Sequence, residues 1–250
     1  MADEVLTEQR GRVLLITLNR PDAMNSVNTA LAQALLGAVE QLDSDPGLTC
    51  GVLTGAGRGF SAGMDLKAFA AGEPPVGFDR FIHDGAKKPL IAAVEGFALA
   101  GGLEIALSCD LIVAAENVKL GIPEAGVGLF AAGGGLVRLP HRIPYSVAMR
   151  MALTADPISA QEGKEVGLVA EVAPKGGALE AALAIAERIA QNAPMAVAAS
   201  KQLVQMAMGM SEAEFWEAQV PLQRDVFTSD DAKEGPRAFA EKRPPEWTGS

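Results

Sequence analysis

With 250 residues, 49% hydrophobic and 21% charged, the chain is long enough for one large core with a small satellite. A formal net charge of −10 argues against nucleic acid and anionic lipid as partners, and no apolar run reaches the roughly 18 residues that cross a membrane. The acidic, polar start "MADEVLTEQRGR" is unlike a signal peptide; Cys50 and Cys109 favour a reducing cytoplasm over a disulfide framework; and no Cys/His cluster has metal spacing.

In chain order, "VLTEQRGRVLLITLN" reads as two strands turning at Gly11. "NTALAQALLGAVEQLD" places Leu31, Leu35, Val39 and Leu42 on one helical face. "TCGVLTG" is a strand that runs into the glycine-rich "TGAGRGFSAGMDL", and "GEPPVG" is turn-rich. "PLIAAVEG" is a buried strand, "GGLEIALSC" a short helix, "DLIVAA" a strand, and "KLGIPEAGVGLFAAGGG" a strand leading into a glycine loop. The pattern then turns helical, with one short strand at "LVAEVA" and capping boxes expected at Ser159–Glu162 and Ser211–Glu214. No fixed-period repeat is visible. The apolar residues of the last segment, Met206, Met208, Met210, Phe215, Trp216, Val220 and Phe227, suit either core packing or a subunit interface.

Three chemistries compete for the glycine loops. "GFSAG" matches the G-x-S-x-G nucleophile elbow, with Asp110 and His141 as the acid and base to follow Ser61. However, the preceding strand stops several residues before Ser61, and His141 lies between arginines. "GRGFSA" fits a dinucleotide fingerprint, but "GEPPVG" interrupts the spacing to the acid that such a site requires. The third reading takes "GFSAGMDL" and "GFALAGGLEIAL" together. Small residues before helix starts expose N–H groups, and two N–H groups aimed at one point would bind a developing oxyanion.

Two carboxylates stand out. Glu104 is the only charged residue between Phe97 and Cys109, and Glu124 follows a proline at a strand end. Two carboxyls in an apolar pocket tend to acquire different pKa values, so that one serves as base and the other as acid. Such a pair beside an oxyanion hole suits water addition to a conjugated C=C or proton movement along an acyl chain. Asp110 and Asp65 are rivals, read as structural and as a helix cap.

"NRPDAMNS", "TGAGRGFSAGMDL", "AAVEGFALAGGLEIALSCDLIVAAE", "KLGIPEAGVGL" and the terminal "GPRAFAEKRPPEW" resemble, in order, the successive motifs of the crotonase superfamily. The resemblance implies an α/β fold: a spiral of ββα units over residues 1–190 and a C-terminal helical trimerisation region over 191–250. It implies an acyl-CoA thioester as substrate, with coenzyme A part of that substrate and no separate cofactor, and a homotrimer or hexamer in the cytoplasm. The oxyanion donors map to the N–H groups of Met64 and Gly101, and the glutamates of family hydratases map to Glu104 and Glu124. Glu124 is expected as the acid and Glu104 as the base. Ala23 and Asn25 resemble the loop lining the CoA channel, Ala62 and Asp65 lie where the family bends CoA, and Phe239 and Lys242 match tail residues that reach it. A Pro-Gly step common in family hydratases is replaced by Ala131-Ala132, with Phe130 beside it either narrowing the acyl pocket or packing. Enoyl-CoA hydration is the implied activity. A Δ3,Δ2-enoyl-CoA isomerase and a non-catalytic acyl-CoA binder are the alternatives. Under this reading Ser61 is a spacer whose replacement by alanine leaves activity almost unchanged.

Overall fold

The computed structural model describes residues 3–250. Strands β1 (Val5–Arg10) and β2 (Val13–Leu18) form the antiparallel hairpin expected around Gly11. Helix α1 (Thr29–Ser44) follows, capped by Asn28, whose side chain accepts from the Leu31 N–H at 2.9 Å. Then come β3 (Cys50–Gly55), the short helices α2 (Leu66–Ala70) and α3 (Phe78–Asp84), β4 (Leu90–Val94), β5 (Phe97–Leu99) and α4 (Gly101–Leu107). Strands β6 (Leu111–Ala115) and β7 (Lys119–Gly121) lead into a 3-10 turn over Pro123–Val127, then α5 (Gly135–Arg142) and α6 (Tyr145–Thr154). The chain continues through β8 (Ile158–Ser159), α7 (Ala160–Glu165), β9 (Glu171–Ala173) and α8 (Ala178–Ala190). It finishes with α9 (Pro194–Ala207), α10 (Glu212–Phe227) and α11 (Asp230–Glu241).

The strands divide between two sheets. The larger has the order β1-β2-β3-β4-β6-β9, parallel beyond its first pair, and the smaller is β5-β7-β8. Each ββα passage, β4-β5-α4 and then β6-β7 with α5, puts one strand into each sheet before its helix. This is the spiral expected from the motifs. No sequence period betrays it, because three-residue strands demand little beyond burial. β3 and β4 are buried along almost their whole length, as parallel strands covered on both faces must be. α1 seals this core with Leu31, Leu35, Val39 and Leu42, all essentially inaccessible, so the predicted apolar face is the buried one. α8 lies over β3, β4 and β6 through Ala178, Ala182 and Ala186, whose small side chains let helix and sheet approach closely.

The Ser211–Glu214 capping box is complete. At Ser159 only half of it forms: the hydroxyl caps α7, while the Glu162 carboxylate turns to Arg150. Lys201 fastens α9 to the core, with its ammonium 2.8 Å from Asp110 and bonded to the carbonyls of Ala86 and Lys88. Asp110 also accepts from the Leu90 N–H, so it is a structural residue, as expected. Core packing does not account for the apolar residues of the last segment: none of the seven is buried within the chain, and α9 and α10 contain no buried residue at all.

Candidate active site

The chain leaving β3 does not form a nucleophile elbow. Residues 59–64 run alongside β5, with a bridge between Ser61 and Ala98, and then alongside Val27, with a bridge to Met64. Ser61 is fully buried. Its hydroxyl donates to the Asn25 carbonyl at 2.8 Å and accepts from the Gly63 N–H at 3.1 Å. Both bonds go to backbone, while His141 is exposed in a different cavity, so the hydrolase reading fails on geometry. The dinucleotide reading fails as well: the glycines lead into these bridges, and the next helix waits until Leu66.

The two glycine loops meet. Gly63 has φ +92°, and a Cβ built on it would lie 2.7 Å from both the Gly101 nitrogen and the Ala100 Cβ, so only glycine fits. Across from it, Ala100 is held at φ 52° and ψ −131°, a sparsely populated conformation for a residue with a side chain. That turn precedes the first N–H of α4, that of Gly101. A Cβ built on Gly101 would be 3.5 Å from the Met64 nitrogen, which puts the two N–H groups side by side. The bonds Val27 N–H to Gly63 carbonyl (2.7 Å) and Asp65 N–H to Val27 carbonyl (3.0 Å) bracket Met64, whose own N–H has no acceptor among the described residues. Gly101, at the start of α4, likewise has no acceptor among the described residues.

Met64 and Gly101 line a cavity of about 360 Å³, together with Ala62, Glu104, Glu124 and Phe130. Glu104 is buried, and its Oε1 accepts from the Gly135 N–H at 2.9 Å. A Cβ on Gly133 would lie 2.5 Å from Oε2, so the glycine run "GGG" is what admits this carboxyl. Burial pushes the Glu104 pKa up. The Gly135 N–H opposes the shift, the like charge of Glu124 adds to it, and the Gly133 N–H and Arg138 oppose it further. Glu124 is also pushed up by burial, but its Oε2 is buried with no hydrogen-bond partner.

Of the remaining candidates, only Phe130 also lines the cavity. Asn25 is fully buried, and its side chain accepts from the Arg20 N–H and donates to the carbonyls of Ala56 and Gly59, each at 2.9 Å. It braces the loop from behind, with both amide hydrogens committed to backbone carbonyls. Asp65 caps α2 and pairs with Arg20 at 3.2 Å. Ala23 sits in the 3-10 turn Pro21–Ala23, outside the cavity lining but next to Met24, whose carbonyl holds the Ala62 N–H at 3.0 Å. Phe239 and Lys242 are exposed at the end of α11 and do not line the cavity. Phe130 is 70% exposed at the cavity wall, so it does not pack into the core. Sequence reasoning missed Leu66, Phe78, Asp79 and Leu129, which also line the cavity. The turn-rich "GEPPVG" marked the place, but no periodicity distinguishes a cavity wall from a loop.

The sequence profile described as enoyl-CoA hydratase/isomerase matches residues 8–250. An enoyl-CoA hydratase of Mycobacterium tuberculosis is 44% identical, over 97% of this chain and 95% of that protein. A 2,3-dehydroadipyl-CoA hydratase of Escherichia coli is 37% identical over 98% and 99%. The crystal structure of an enoyl-CoA hydratase from Mycobacterium marinum superposes with a TM-score of 0.95 at 54% identity, covering 99% of this chain and all of that one (100%). The paired N–H groups and paired carboxyls therefore sit in a chain that belongs, over nearly its whole length, to the enoyl-CoA hydratase/isomerase family of enzymes.

Proposed function

We propose that this enzyme adds water across the 2,3 double bond of a trans-2-enoyl-CoA thioester. The thioester oxygen accepts from the N–H groups of Met64 and Gly101. Glu104, ionised, takes a proton from water as the water oxygen bonds to C3. The electron pair displaced from the double bond forms an enolate whose oxygen rests on the two N–H groups. Glu124, protonated, delivers its proton to C2, which completes the addition of H and OH. A proton then passes back from Glu104 to Glu124 by way of solvent.

The observation that carries this reading is the unequal solvation of two carboxyls in one cavity. Glu104 holds a backbone N–H that favours its anion, whereas Glu124 has a buried oxygen with no partner and so favours its neutral form. The full-length hydratase relatives support the same reaction class. Glu104→Gln and Glu124→Gln, each assayed with crotonyl-CoA, are each expected to lose about 10²-fold or more in kcat. Full hydration by both variants would end the proposal.

Coenzyme A belongs to the substrate. The division at residues 190 and 191 falls between α8 and α9, and residues 191–250 are proposed as a trimerisation region. In such an assembly the exposed Phe239 and Lys242 would reach the CoA of a neighbouring copy, and Ala23 would lie at the rim of the CoA channel. The two cysteines, both buried and unpaired, suit a reducing cytoplasm.

A further inference from the structure

Beyond its glutamates, the cavity is walled by two stretches far apart in sequence. Leu66, Pro75 and Phe78 come from α2, α3 and the segment between them, and Val127, Leu129 and Phe130 come from the turn after Glu124. All six are apolar. Asp79 is the third ionisable residue of the lining, and every ionisable group there is a carboxyl: among the described residues no lysine, arginine or histidine lines the cavity. Asp79 is exposed beside buried Phe78 and has no ion-pair partner among the described residues; its neighbour Arg80 pairs with Glu40 instead.

We propose that Asp79 makes this enzyme selective for acyl chains with an uncharged, apolar far end and against chains that end in a carboxylate. The proposal rests on the hydratase reading. An acyl chain extending past C3 runs along the apolar wall. A terminal carboxylate carried there would leave water for a surface that cannot hydrogen-bond it. It would also meet a like charge with no cation to offset it. Repulsion of this kind is how a site discriminates between ligands of equal size.

The test uses the full chain and two thioesters of equal acyl length, trans-2-hexenoyl-CoA and 2,3-dehydroadipyl-CoA, which differ at the chain end by methyl against carboxylate. The wild type is expected to favour the hexenoyl ester by about 10²-fold in kcat/KM, the combined effect of desolvation and repulsion. Asp79→Asn is expected to narrow that ratio about three- to tenfold, and Asp79→Lys to narrow it further, because an exposed charge acts through partly aqueous surroundings. Raised salt should narrow the wild-type ratio and leave the Asp79→Asn ratio nearly fixed. A wild-type ratio near one overturns the proposal. So does an equal shift of both esters in the variants, which would place Asp79 on the CoA side of the cavity. Turnover of neither ester by the wild type would bring down the hydratase reading, and the proposal with it.

Discussion

Glu104 and Glu124 are the same amino acid facing one cavity, and their neighbours divide them. Burial raises both pKa values; against it Glu104 has the N–H groups of Gly135 and Gly133, whereas Glu124 has only its own backbone N–H and keeps one oxygen buried without a partner among the described residues. The consequence for stability has a definite sign. A carboxyl whose folded pKa is raised binds more protons in the folded than in the unfolded state. Its stabilising contribution is therefore complete below the unfolded pKa of about 4.3 and is lost as pH rises through the folded value. Glu124→Gln removes that loss without changing the shape of the side chain. The variant is expected to melt above the wild type at pH 8, with the advantage shrinking as pH falls towards 5, as read by thermal denaturation across a pH series. A constant difference would show that the Glu124 charge is not what strains the site. Both glutamates were legible in the sequence, because a lone carboxyl in an apolar, small-residue run is conspicuous. Their expected roles, Glu104 as base and Glu124 as acid, came only from the resemblance, because the bond that distinguishes their surroundings comes from Gly135, a residue 31 positions from Glu104.

Among the elements, the loop between β3 and α2 matters most. It stays in place through side chains that look expendable in the sequence. Asn25 ties the carbonyls of Ala56 and Gly59, and Ser61 ties Asn25 to Gly63, one residue before the Met64 donor. This corrects the expectation that Ser61 is a spacer. Ser61→Ala leaves a buried carbonyl and a buried N–H without partners, at a cost of about 1–3 kcal/mol. It also loosens the donor next to it, and misplacement of a catalytic group by about 1 Å can cost on the order of 10²-fold in rate. The variant is expected to melt several degrees lower and to lose at least about tenfold in kcat, with KM less affected, in paired thermal melts and steady-state assays. An unchanged kcat would restore the spacer reading. Long elements, by contrast, were readable end to end: α1 carries its own cap and apolar stripe, and Ser211 with Glu214 specifies the start of α10 locally. The Ser159 box failed by half because Arg150, on a different helix, competes for Glu162.

At the scale of the whole molecule, Trp216, Val220, Phe227 and Phe239 lie exposed on α10 and α11, where the chain by itself offers nothing to cover them. Exposed apolar side chains of this size are consistent with the proposed subunit interface. Light scattering is expected to give a trimer or hexamer, and Trp216→Glu combined with Phe227→Glu to give smaller species with a raised KM for the CoA ester. A monomeric wild type would remove the assembly from the proposal. The sequence by itself determined the long strands and helices, the two candidate glutamates and the small-residue loops, because each depends on the identity and spacing of neighbours along the chain; the short β5, β8 and α3 left no such pattern. Only the tertiary structure decided that Gly63 and Gly101 lie against each other, that Asn25 braces the loop and Asp65 pairs with Arg20, and that Asp79 lines the cavity. Those facts arise where β5 and the residue 59–64 segment align and where α3 and the turn after Glu124 line one cavity, between parts of the chain whose separation leaves no local pattern to read.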